Sequence, residues 1–240
     1  LFGDSPLLTS STLQKMLDVR RQFPAIGLAF SGMRVTGPNT YGRMVLDDDG
    51  ALRKMVAFKG AVDGERNITL CNGGVVCPDG TQLCKWPGQI SNNNAKGEYY
   101  LTDLPVIARK DNRQTHVVEV DASELAGANT RGELAQLETA MQTRLREKHM
   151  TNGATLTDPA TVYFSYETVI GQDVTIEPNV FFGPNVKIAN NVSILAFSHI
   201  EGTEIAEGAS IGPFARVRPG SKSGKEARSG NFVETNRATV

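Results

Sequence analysis

"VIGQDVTIEPNVFFGPNVKIANNVSI", residues 169 to 194, sets a bulky apolar side chain at every sixth place. Extended in both directions, the comb reads Phe164, Ile170, Ile176, Phe182, Ile188, Ile194 and Ile200. Val174, Val180, Val186 and Val192 stand four places after an anchor. After a one-residue slip the comb resumes at Ile205, Ile211 and Val217, with Ala209 and Ala215 at the small place. An amphipathic helix needs a period of about 3.6, and a hairpin series needs turns that are absent here. A parallel β-helix fits, each six-residue unit forming one flat side of a coil. The anchor points inward and stacks on its counterpart one coil below, and the Val or Ala fills the corner. Gly follows the anchor at 171, 183, 212, 224 and 230, which suits a backbone with little room or positive φ. Ser198 at a corner, with Ser223 and Ser229 at anchors, leaves the last coils less well specified.

Upstream, the period changes. "TRGELAQLETAMQTRLREKHMTNG", residues 130 to 153, places Leu134, Leu137, Met141 and Leu145 on one helical stripe. Thr130 and Glu133 have capping-box spacing, and Gly153 is a stop signal with Asp158-Pro159 beyond. Before this helix the pattern is mixed α/β. "STLQKMLDVRRQF" is helical, "AIGLAFS" and "THVVEVD" are strands, and "RMVLDDDGALRKMVAF" is a hairpin turning at Asp49-Gly50. "NITLCNGGVVC" reads as a strand interrupted at Asn-Gly-Gly, and "TDLPVIARK" as a short helix capped at Thr102/Asp103. Such alternation predicts a layered α/β sheet. The expected organisation is an α/β domain at 1–129, a connector helix at 130–153 and the coil at 154–240.

Composition excludes several functions. Among 240 residues, 40 % are hydrophobic and 21 % charged, and the formal net charge is −1. Neither nucleic acid nor an anionic membrane has an electrostatic reason to bind. No apolar run approaches the roughly 18 residues of a membrane span. Cys71, Cys77 and Cys84 form no C-x-x-C and have no nearby His, so reduced structural thiols in a cytoplasmic protein are expected.

The candidate site residues lie in short, Gly- or Asn-rich stretches. In "LFGDSPLL", residues 1 to 8, Asp4 follows Gly3 in what reads as a tight turn at a strand end. Open α/β sheets bind ligands there, although Asp before Ser-Pro is equally a turn or helix cap. In "TYGRM" Gly42 either brings backbone N–H to a ligand or simply precedes a strand. Asn72 in "CNGGVV" is a ligand group or a turn. "NNNAKGEYYLTD", residues 92 to 103, is a substrate loop or only a loop, and Asn129 in "GANTR" is a ligand or an N-cap.

The comb itself resembles the hexapeptide-repeat, left-handed parallel β-helix proteins, many of which are trimeric acyltransferases. Taken together, "LFGDSPLL", "YGRM", "NNNAKGEYYLTD", "GANTR", the repeats, "IGPFARVRPG" and "GNFVE" resemble one bacterial family across the whole chain. This is the bifunctional N-acetylglucosamine-1-phosphate uridylyltransferase/glucosamine-1-phosphate acetyltransferase family. The resemblance implies a Rossmann-like nucleotidyltransferase domain, partial here, followed by part of a left-handed β-helix. It implies UDP-N-acetylglucosamine biosynthesis in two steps. One transfers uridylyl from UTP to N-acetylglucosamine 1-phosphate with Mg²⁺, and the other transfers acetyl from acetyl-CoA to glucosamine 1-phosphate.

By the same resemblance Asp4 and Asn129 hold the Mg²⁺. Phe2, Gly3 and Asp4 line the nucleotide-sugar site. Gly42 contacts the N-acetylglucosamine part through backbone N–H, and Asn72 does so through its side-chain amide. Arg218 binds the sugar phosphate for acetyl transfer. A homotrimer is implied. The Gly-rich UTP loop is expected before Leu1, and the acetyl-transfer His beyond Val240, so residues 1–240 alone are expected not to turn over UTP. Three positions depart from the pattern: Ala57 stands for a sugar-binding Glu, Asn236 for a phosphate-binding Lys, and Thr40 for a Gly. These departures keep open a non-catalytic alternative, a trimeric scaffold or sugar-nucleotide-binding homologue.

Overall fold

A computed structural model of the chain describes all residues except 2, 24, 95 and 96. It divides into two compact units, residues 1–137 and 138–240.

The first unit is built on five strands: β1 (Ile26–Arg34), β2 (Arg43–Leu46), β3 (Leu52–Val56), β4 (Leu70–Pro78) and β5 (Gln114–Glu119). They lie in the order β3-β2-β4-β1-β5. β1 pairs parallel with β5 and antiparallel with β4. Its first eight residues are all buried, as expected for a strand covered on both faces. Leu28 and Phe30 pack with Trp86, Leu104 and Ile107, whereas Ala29 and Met33 pack with Met16, Val75 and Leu125. The alternation of side chains along one strand thus feeds two core layers. Helices α1 (Ser10–Gln22), α2 (Asp63–Arg66), α3 (Leu104–Lys110) and α4 (Arg131–Thr151) complete the regular elements, with α4 running on into the second unit.

Two local expectations, the Asp103 cap and the place of Leu134, are corrected, and one is met. β4 is interrupted at Asn-Gly-Gly: its register with β1 steps from Phe30↔Val76 to Gly32↔Asn72, Asn72 Oδ1 accepts the Gly74 N–H at 3.0 Å, and Gly74 takes φ +81°. Gly73 is required by space, since a Cβ there would lie 2.3 Å from Leu125 Cδ1. Asp103 makes no side-chain cap to α3 and instead ends a 3₁₀ turn at residues 101–103. Leu134 does not join the buried stripe of α4, being 56 % exposed.

The second unit is the left-handed parallel β-helix that the comb predicts. Ile170 pairs with Ile188, Ile176 with Ile194 and Phe182 with Ile200, so a circuit takes 18 residues and three sides. The slip is one circuit of 17, seen as Ile188↔Ile205, Ile194↔Ile211 and Ile200↔Val217. Anchors and corner valines from Val174 to Val217 form one continuous apolar core. Each corner turns on a left-handed residue: Asp173, Asn179, Asn185 and Asn191 have φ of 56–60°. Asn and Asp accept this conformation through local hydrogen bonding. At the shortened corner Gly202 takes the left-handed place (φ +55°) and Thr203 fills the corner. Phe197, Phe214 and Phe232 occupy left-handed places on one edge and stack outside the coil, centroids 4.9 and 5.2 Å apart.

α4 closes the coil's first edge. Gln142 donates to the Phe164 carbonyl at 2.7 Å and accepts from the Phe164 N–H at 2.9 Å. Arg146 Nε donates to the Val162 carbonyl at 2.8 Å. Side-chain groups thereby satisfy the backbone of the coil's first edge segment, which joins the next rung through a single bridge at Tyr163.

Candidate functional site

Asp4 lies in an exposed turn with Gly3, and Phe2 lies outside the described residues. The Asp4 carbonyl accepts the Ala128 N–H at 3.1 Å. A Cβ on Gly127 would sit 3.3 Å from Asp4 Oδ2, so the carboxylate rests against a backbone left bare at that residue. A second tie holds the same segments: the N–H and Oγ of Thr9 and the Oγ of Thr12 all donate to Glu124 Oε2, at 3.1, 2.8 and 2.8 Å. Two distant parts of the sequence therefore meet, and Asn129 follows directly.

The capping alternatives fall away. Thr9 caps α1, its Oγ accepting the Thr12 N–H at 3.2 Å, so Asp4 is not the cap. Thr130 caps α4: its Oγ accepts the Glu133 N–H at 3.1 Å, and Glu133 accepts the Thr130 N–H at 2.9 Å. Glu133 also accepts the Asn129 N–H at 2.6 Å, a bond that holds its carboxyl below the usual range. The Asn129 side-chain amide adds a smaller effect in the same direction.

Gly42 and Asn72 also meet. The Gly42 carbonyl accepts the Asn72 N–H at 2.8 Å. Asn72 lines a pocket of about 340 Å³ with Phe30, Tyr99, Tyr100 and Thr102. The "NNNAKGEYYLTD" stretch thus supplies a wall of the cavity that holds Asn72. Ala57 is exposed at the start of a 3₁₀ turn, and Val56 before it places its carbonyl 3.6 Å from where a Gly42 Cβ would be. Arg43, which sequence reasoning left unassigned, is buried beside both Gly42 and Cys71. Its signal was its place within "TYGRM".

In the coil Arg218 is exposed and paired through Nε with Glu234. Its backbone N–H bonds to the Thr235 carbonyl, which puts it one rung from Asn236. No cluster of three or more His, Cys, Asp or Glu suited to a metal occurs among the described residues. Nor is any helix among them long and apolar enough to cross a membrane.

Residues 167–202 match the family model described as bacterial transferase hexapeptide, six repeats. A bifunctional protein GlmU from Paramagnetospirillum magneticum is 47 % identical over 240 residues, all of this chain and 53 % of that protein. The GlmU of Zymomonas mobilis is 45 % identical over 242 residues, again covering this whole chain and 53 % of its own length. That of Gluconobacter oxydans is 49 % identical over 179 residues, 75 % of this chain and 39 % of that protein. The chain belongs to the GlmU family. It spans about half the length of the GlmU relatives it matches. The GlmU match runs through both units, so the α/β sheet and the coil share one family assignment.

Proposed function

We propose that residues 1–129 carry the nucleotide-sugar half of a uridylyltransferase site and that the coil from residue 154 carries the start of an acetyltransferase, with 130–153 as connector. The observation that carries the first reading is the junction of Asp4 with the Gly127–Asn129 segment. It brings the Asp4 carboxylate to the backbone segment that carries Asn129.

This donor set fits Mg²⁺. The ion prefers hard oxygen ligands, takes few from protein and fills its shell with water and phosphate oxygens. Asp4 and Asn129 would hold it, and it would supply charge neutralisation on the phosphates. The chain's own groups position the reactants. Glu133 holds the Asn129 backbone N–H, Gly127 leaves room for the Asp4 carboxylate, and Gly42 with Asn72 holds the sugar. In the reaction, an oxygen of N-acetylglucosamine 1-phosphate bonds to the α-phosphorus of UTP. The bond to the β-phosphate bridging oxygen breaks, and pyrophosphate leaves. No nucleophilic side chain is required, since such transfers depend on alignment and charge stabilisation.

Calorimetric titration of UDP-N-acetylglucosamine into the chain tests this. Binding strengthened at least tenfold by Mg²⁺, with the Mg²⁺ dependence lost in Asp4→Asn, is the expected result. No binding, or binding indifferent to both, would leave the scaffold alternative in place. For the coil we propose assembly as a homotrimer in which Arg218 exchanges Glu234 for the phosphate of glucosamine 1-phosphate, with acetyl-CoA as donor. A monomer in sedimentation analysis at micromolar concentration would contradict that assembly.

A further inference from the structure

Arg43 is 3 % exposed and has no carboxylate partner among the described residues, which is unusual for a buried cation. Its guanidinium is instead spent on one small region. Nη1 donates to Asn39 Oδ1 at 2.5 Å, to the Tyr41 carbonyl at 3.0 Å and to Cys71 Sγ at 3.1 Å. Nε donates to the Arg66 carbonyl at 3.2 Å, and Nη2 to the Asn39 carbonyl at 3.4 Å. The Phe58 ring lies beneath, 5.0 Å from Cζ. Three of those partners adjoin the proposed sugar site: Tyr41 precedes Gly42, Cys71 precedes Asn72, and Phe58 follows Ala57, which stands at the departed position.

The bond to Tyr41 matters most. The Tyr41 carbonyl and the Gly42 N–H belong to one planar peptide unit, so fixing the carbonyl fixes the direction of the N–H. A cationic donor on the carbonyl oxygen also draws electron density from the amide, making its N–H a stronger donor. Among the described residues no acceptor is bonded to the Gly42 N–H. It is left aimed for an outside partner, while the Gly42 carbonyl is occupied by Asn72.

We infer that Arg43 is a positioning residue for the sugar half of the site, clamping and polarising the Tyr41–Gly42 peptide so that its N–H can grip the N-acetylglucosamine group. The inference rests on the role proposed for Gly42 and Asn72, and its test separates the two. Lys at position 43 keeps the charge but cannot bridge Tyr41, Asn39 and Arg66 together, because an ammonium lacks the planar fork.

The experiment compares the wild-type chain with Arg43→Lys. Calorimetry measures affinity for N-acetylglucosamine 1-phosphate, competition with Mn²⁺ reports the Asp4–Asn129 pair, and ¹⁵N-glycine spectra report the Gly42 amide without ligand. The expected result is at least a tenfold loss of sugar-phosphate affinity, Mn²⁺ affinity within twofold of wild type, and a displaced Gly42 resonance while the coil glycines stay in place. Wild-type sugar affinity in Arg43→Lys, or an unmoved Gly42 resonance, overturns the inference and leaves the site reading standing. Absence of sugar-phosphate binding by the wild type overturns the site reading, and the inference with it. If Arg43→Lys does not fold, Phe58→Leu, which removes only the ring under the guanidinium, takes its place with an expected loss of about threefold. An unchanged affinity there is equally fatal.

Discussion

At the scale of single residues, the departures and the glycines make the sharpest tests. Ala57 is exposed beside the Gly42–Asn72 pair and has no group that can accept a sugar hydroxyl. Ala57→Glu should raise affinity for N-acetylglucosamine 1-phosphate by about 10- to 100-fold, the effect of one charged acceptor worth roughly 1.5–3 kcal/mol. Calorimetry would show it, and an unchanged affinity would mean that position 57 does not face the sugar. In the coil, a Cβ on Gly171 would meet Asn190 Oδ1 at 2.3 Å and the Ala189 carbonyl carbon at 2.8 Å, whereas one on Gly230 meets nothing within 4 Å. Gly171→Ala should therefore cost about 1–3 kcal/mol, and Gly230→Ala should be neutral or gain up to about 1 kcal/mol, both read from urea unfolding. The identity of every one of these residues was visible in the sequence, but their reasons were only partly so. That Gly follows the anchor could be read from the comb. That Asp4 rests on Gly127, or that Glu124 reaches back to Thr9 and Thr12, could not, because such contacts join segments far apart in the chain and leave no periodic trace.

At the scale of elements, α4 stabilises the coil it precedes. Gln142 is 3 % exposed and spends both ends of its amide on Phe164. Gln142→Leu keeps the volume but leaves a buried N–H and a buried C=O unpaired, each worth roughly 1–3 kcal/mol. The loss should appear in the unfolding of the coil unit, and stability equal to wild type would mean that the edge is satisfied otherwise. His149 sits on the same helix, its ring tilted against Phe164 at 4.6 Å and its Nε2 without a hydrogen-bond partner among the described residues. Burial, helped by the neighbouring Lys148, pushes its pKa from 6.5 down to about 4. Between those values the unfolded chain binds the proton and the folded chain resists it. Stability from this group is therefore full above pH 6.5 and declines as pH falls towards 4. His149→Leu should flatten the melting temperature across that window, and an identical slope in the variant would refute the assignment. The helix and its Thr130–Glu133 cap were legible because local spacing encodes them. Its use as an edge cap was not, because Gln142 is a polar residue inside an apolar pattern and only the exposed edge explains it. In β4 the local signal was legible, since the register with β1 breaks at Asn-Gly-Gly.

At the scale of the whole molecule, the two units have separate cores. One gathers residues from Leu145 onward, and the other two comprise residues up to Leu125. Calorimetry should resolve two transitions, and Gln142→Leu should lower only one of them. A single transition that moves as a whole would contradict this independence. The coil was the most legible part of the chain, since six-residue periodicity survives even Ser223 and Ser229 at anchor places, both still buried and in register. The α/β sheet was legible as strands and helices, but its order was not, because β2, β3 and β4 carry no sequence mark of which neighbour they take. In the coil every rung inherits its phase from the rung beneath, and the count leaves 18 at the first circuit, where Leu156 pairs with Ile176, and at Gly202, where the circuit shortens to 17 residues. Such an architecture admits a length change as an entire circuit, as one residue lost at a corner where glycine can absorb the bend, or as residues added where the coil begins. Duplication would lengthen it by whole storeys, and the ancestry of such coils would be recorded in circuits gained or lost rather than in scattered insertions.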